Sequence, residues 1–142
     1  MTTSRPGLPH WRELTTAFRI RVRDDETLLL KRARMLAVVH RVRTRNPGCA
    51  QVFDATRSAL RGQIAEWIVD HIGVCAIDAV TCSLVIDDMA AAHVIAERLL
   101  CTEPPVGVEQ LHDAWFDVGR LAIQWSDLVA EVVDGQPSLP RR

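Results

Sequence analysis

Apolar residues recur every three to four positions along almost the whole chain, the period that lays one oily stripe along an α-helix. Five helices are predicted from this pattern. The first runs from about His10 to Val22, with Pro9 in its first turn and Trp11, Leu14, Ala17 and Phe18 on one face. The second spans roughly Glu26 to Arg45, with Leu29, Leu36 and Val39 inward, and Asp24, Asp25 and Glu26 supply negative charge at its start. Asn46-Pro47-Gly48 stops it. The third covers about Ala50 to Ile72 on a stripe of Phe53, Leu60, Ile64, Trp67, Ile68 and His71, and Gly73 caps it. Val74 to Thr81 reads as a packed connection, because a lone strand there has no partner. The fourth helix follows from about Cys82 to Cys101, and Glu103-Pro104-Pro105-Val106-Gly107 ends it. The fifth runs from about Val108 to Val133, with Leu111, Trp115, Val118, Ala122, Trp125, Val129 and Val132 in register.

Long helices with short connections pack as antiparallel neighbours. The expected fold is therefore all-α: one antiparallel bundle of about five helices over residues 1–142, with 1–8 and 136–142 as flexible tails. Tyr is absent and Phe is scarce, so Trp67, Trp115 and Trp125 are expected to dominate the core.

Composition changes this picture little, but charge adds to it. The chain is 48% hydrophobic and 25% charged, ordinary for a globular domain of 142 residues. Its net charge of −1 hides an asymmetry. Residues 1–66 carry 13 basic and 6 acidic side chains, and residues 67–142 carry 4 and 12. The simplest reading pairs the two halves, within one chain or across a homodimer. The Arg-rich run from Arg19 to Arg45 has no interleaved aromatics, which argues against single-stranded nucleic acid. Met1 to Pro9 has no apolar leader, and Leu84 to Leu100 is broken by Asp87, Asp88, His93, Glu97 and Arg98. A cytoplasmic home away from membranes is expected. Cys49, Cys75, Cys82 and Cys101 have no metal-ligand spacing and read as reduced, mostly buried thiols.

Candidate chemistry concentrates on the fourth helix. Asp87, His93 and Glu97 share one arc of its surface, while Asp88 falls in the opposite, apolar arc beside Ile95 and Leu99. An acid there must be paired, neutral or facing a cavity. His93 and Glu97 stand one turn apart and can share a ligand. On the third helix Arg57 and Arg61 can grip a carboxylate or phosphate between them. Glu109-x-x-His112 has the spacing of a di-iron carboxylate ligand pair, with Glu66 as a further candidate, but such a centre needs two such motifs and only one is present. No metal site and no organic cofactor are expected. Gly-rich phosphate loops and nucleophile elbows are absent.

Leu8-Pro9 before a helix ending Ala17-Phe18-Arg19, the spacing from Arg57 to Trp67, the stretch Thr81 to Ala92 with Asp87, and Leu111 to Pro140 with His112-x-x-Trp115 and Asp127-Leu128-Val129 together resemble domain-of-unknown-function family 4254, in its actinobacterial members. The chain departs from that pattern at Asp88, where the family has Arg, and at Trp125-Ser126, where it has a Tyr. The resemblance implies a helical fold and a setting in bacterial natural-product metabolism, and it implies no activity.

Two functions fit these readings. The first is a small-molecule binding protein able to carry cofactor-independent acid–base chemistry. Its pocket would lie between the third, fourth and fifth helices, with Asp88, His93, Asp87 and His112 as catalytic groups and Glu97, Arg57, Arg61, Trp67 and Trp115 around the ligand. The second is a non-enzymatic dimeric partner or scaffold protein, using its basic helix and an apolar helix face.

Overall fold

The structure, a computed structural model, describes residues 7–19 and 26–134. Five α-helices follow one another: α1 (Trp11–Arg19), α2 (Leu28–Arg45), α3 (Ala50–Ile72), α4 (Ala76–Leu100) and α5 (Val108–Val129). The described residues contain no strand. The expected end of the first helix beyond Ile20, the acidic pair Asp24 and Asp25, and the tails at 1–6 and 136–142 lie outside the described residues.

Local chemistry sets most of the boundaries. At the start of α1 the His10 backbone N–H donates to Glu13 Oε1 at 2.8 Å, and His10 Nδ1 accepts from the Arg12 N–H at 3.1 Å. This is the reciprocal exchange of a capping box. Thr27 Oγ1 caps α2 by accepting from the Leu30 N–H. Asn46 closes α2, its side-chain amide donating to the Val42 carbonyl, and a single 3₁₀ turn over Pro47–Cys49 leads into α3. Gly73, at φ +84°, takes the left-handed position that ends α3 and donates to the Ile68 carbonyl.

One boundary differs from the sequence reading. The connection between α3 and α4 is only Gly73–Cys75, and α4 begins at Ala76, not at Cys82. The β-branched run Val74, Ile77, Val80 and Thr81 disguises the first two turns, yet Ala79 and Cys82 are fully buried there. Tertiary packing overrides local propensity. At the far end α5 gives way after Val129 to a π-helical turn, Ala130–Asp134, which keeps Val132 buried.

The helix order makes successive hairpins, so α2 and α4 run in the same direction. The central helix is α4, packed against α1, α2, α3 and α5. It is also the one helix among the described residues long and apolar enough to cross a membrane, and 61% of its most apolar window is covered by its neighbours. The apolar content is that of a core helix. Its buried stripe includes Ala79, Cys82, Val85, Ile86, Met89, Ala90 and Val94, meeting Leu36 of α2 and Ile64 and Ile68 of α3 in one core cluster. Trp67 and Trp125 lie in that core as expected. Trp115 does not, being 38% exposed. Of the four thiols only Cys82 is buried, and burial pushes it up to about 11, so it stays a thiol. Cys49, Cys75 and Cys101 are exposed at helix ends, against expectation.

Candidate functional site

Two polar centres on α4 lie inside this apolar frame, apart from the buried pair that Arg34 of α2 makes with Glu26. The first is Asp87, only 2% exposed. Its Oδ1 accepts from His40 Nε2 of α2 at 2.7 Å. Its Oδ2 accepts from Arg57 Nη2 at 2.9 Å and Arg61 Nη1 at 2.8 Å, both from α3. Arg57 also donates to Asp54 Oδ1 at 2.9 Å, which Arg43 reaches from α2 at 3.0 Å. Burial alone would raise the Asp87 carboxyl, but the hydrogen bonds from His40, Arg57 and Arg61 outweigh it and hold the group well below the usual carboxylate range. Asp87 is thus a fixed anion joining three helices. Because it only accepts, His40 Nε2 carries the proton of this bond.

The second centre is His93, one and a half turns further along α4. It is 4% exposed and packs tilted on the Phe18 ring at 5.7 Å and edge-to-face on Trp115 at 6.3 Å. Neither ring nitrogen has a hydrogen-bond partner among the described residues. Glu97 Oε2 lies 3.9 Å from Nε2, beyond hydrogen-bonding range. Burial lowers the His93 pKa from its ordinary value; Glu97 pulls it up, and Arg19 and Arg41 push it further down. The imidazole is therefore neutral at pH 7. Glu97 is held from its other side by Arg41, whose Nη2 lies 3.0 Å from Oε1 and donates to the Phe18 carbonyl at 2.6 Å.

Beside this centre a cavity of about 440 Å³ opens between the C-terminal ends of α2 and α4. Its walls are Arg41, Thr44 and Arg45 on one side and Val94, Glu97, Arg98, Cys101 and Thr102 on the other. Val94, next to His93 in sequence, and Glu97, one turn on, are the wall residues on α4 nearest His93, whose ring lies buried beside them and does not itself line the cavity.

The structure brings together part of the predicted site. Asp87, Arg57 and Arg61 form one cluster, and Glu97 lines the cavity with His93 buried next to it. Asp88 does not belong. It is exposed, on the narrow strip of α4 left free by four packing partners, in line with Ile77 and Leu84. Its neighbour Asp87 takes the buried position instead. His112 is exposed on the first turns of α5, one turn before Trp115, and does not line the cavity. The cavity beside His93 lies between α2 and α4, not between the third, fourth and fifth helices as expected; a second cavity of about 400 Å³ lies between α4 and α5, lined by none of the predicted site residues. Trp67 is a core ring stacked on His71 at 4.6 Å, with no place at the cavity, while Trp115 touches the site through His93 alone. Glu109, like His112, is exposed, and no group of three metal-ligating side chains occurs among the described residues.

Sequence reasoning missed His40, Arg41, Arg45 and Arg98. Arg41 and Arg45 stand one turn apart at the end of α2, the same spacing that singled out Arg57 and Arg61. In comparisons with family profiles, curated proteins and solved structures, nothing matches the chain.

Proposed function

We propose that this chain binds a small molecule in the cavity between α2 and α4, and that His93 with Glu97 can supply cofactor-independent acid–base chemistry to it. The observation that carries the reading is His93. A buried side chain with two unpaired polar atoms costs free energy in the unliganded fold. A neutral imidazole offers one donor and one acceptor, the two capacities a general acid–base group needs. Glu97, steadied by Arg41, stands where it would stabilise the imidazolium formed on proton uptake. Bacterial natural-product metabolism is the setting that the family resemblance suggests. A dimeric partner protein is the second reading, favoured by the exposed Ile77, Val80 and Leu84 on one face of α4.

The two readings separate on one variant. His93→Phe fills the same space between Phe18 and Trp115 and removes the orphaned nitrogens. We expect it to be more stable than the parent by about 1 kcal/mol in urea unfolding, since an unsatisfied buried polar group costs at least that much. A thermal-shift panel of small metabolites should raise the melting temperature of the parent for at least one compound and leave His93→Phe unmoved. A less stable variant, or an equal response in both proteins, would remove His93 from the site.

A further inference from the structure

We infer that the ligand of this cavity is a small organic anion bearing a carboxylate or phosphate group. The inference rests on the reading of the cavity as a ligand site, but a different set of residues carries it. Three arginines line the cavity: Arg41 and Arg45 from α2 and Arg98 from α4. Arg41 is satisfied by Glu97 and the Phe18 carbonyl. Arg45 and Arg98 have no carboxylate partner among the described residues, although carboxylates claim the neighbouring Arg43, Arg57 and Arg61.

The bland alternative is that Arg45 and Arg98 serve the helix ends, since α2 and α4 both terminate here. Four of the carbonyls at those ends have other donors. Asn46 reaches the Val42 and Arg43 carbonyls through its side chain and backbone. The Cys101 and Thr102 N–H groups and the Thr102 hydroxyl take those of Arg98 and Leu99. Charge counting gives the same result. Three arginines against Glu97 leave two positive charges, and two helix C-termini bring roughly half a negative charge each. About one uncompensated positive charge remains at the cavity.

The geometry matches that sign. Guanidinium groups on two separate helices can close on a carboxylate or phosphate from opposite sides, each through paired N–H donors. Val94 supplies an apolar wall, and Glu97 in the same wall stands 3.9 Å from the buried His93 ring. A volume of about 440 Å³ admits a ring-sized organic body as well as the anionic group. The ligand would thus lie with its charge between Arg45 and Arg98 and its body toward His93.

Calorimetric titration with two matched pairs tests this at fixed ionic strength: phenyl phosphate against phenol, and phthalate against phthalamide. We expect each anion to bind at least about tenfold more tightly than its neutral counterpart, and the affinity to fall as salt is added. Arg45→Gln and Arg98→Gln should each weaken anion binding about tenfold, the free-energy equivalent of about 1.4 kcal/mol, while keeping the parent melting temperature. Arg120→Gln, the same charge change on exposed α5, should leave binding unaltered. The phosphate and carboxylate arms show which group is preferred. Equal binding of neutral and anionic probes, or equal loss in the Arg120 control, would overturn the anion while leaving the cavity itself in place. Silence from all four probes would also overturn it, and the His93→Phe comparison would then decide whether the cavity binds anything.

Discussion

Asp87→Leu should destabilise the fold by about 3 kcal/mol or more, the cost of removing one partner from a buried ion cluster. The loss arises less from the missing carboxylate than from what it leaves behind. Arg57 and Arg61 would keep their guanidinium groups only about a quarter exposed, with their shared acceptor gone, and His40 would lose its bond. Adding Arg57→Met and Arg61→Met to Asp87→Leu should therefore recover much of the stability, since apolar groups of similar volume can replace a buried ionic cluster with little loss. Urea midpoints of the single and triple variants give the answer. A single variant within about 1 kcal/mol of the parent would mean that water reaches the cluster and that Asp87 joins nothing. The same centre has a pH signature. The carboxyl is held below its unfolded value, so its contribution is complete above about pH 4 and is lost as the solution is made more acid than that. His93 acts in a separate window. It is kept neutral by burial, so stability falls as the pH drops below about 6.5, where the unfolded ring begins to take a proton and the folded one does not. Asp87→Leu should erase the lower step and His93→Phe the upper one.

Trp125→Ala should cost about 4 kcal/mol, in the range for emptying a buried indole site. Trp125 is fully buried, the largest such side chain in the described structure, and its Nε1–H donates to the Pro9 carbonyl at 2.9 Å across 116 residues of sequence. That bond ties the entry of α1 to α5. Trp125→Phe should cost less, about 1–2 kcal/mol, because most of the ring remains and only the donor is lost. Hydrogen exchange should then quicken selectively in α1, which starts two residues after the Pro9 carbonyl that Trp125 holds. Uniform quickening across all helices would show instead that Trp125 acts on the core as a whole.

How far the sequence spoke depended on the range of the interaction. The bounds of α3 were legible to the residue, because Asn46-Pro47-Gly48 and Gly73 are local signals whose backbone consequences are nearly obligatory. The start of α4 was not. Its first turns are rich in β-branched residues and gain their helical form from packing of Ala79 and Cys82. The placing of Asp87 on the polar arc of α4 and Asp88 on its apolar arc was reversed for a related reason. A helix covered by four neighbours buries most of its circumference, so its apolar arc no longer marks the single inward side. The i, i+4 relation of His93 and Glu97 could be read directly, being set by one helix. The partnership of His40 with Asp87 spans 47 residues and two hairpins, and no local pattern announces it.

The account turns on a histidine ring that is neutral and unbonded in the ligand-free protein. Long-range ¹H–¹⁵N correlation of the imidazole resonances, with His93 assigned by comparison with His93→Phe, reads that state directly. At pH 7 it should show one protonated and one unprotonated ring nitrogen, unchanged when Glu97 is replaced by Gln and displaced when an anion enters the cavity. Two protonated nitrogens at pH 7, reverting to one in Glu97→Gln, would mean that His93 is already spent in an ion pair with Glu97, and the proposed site would fall with it.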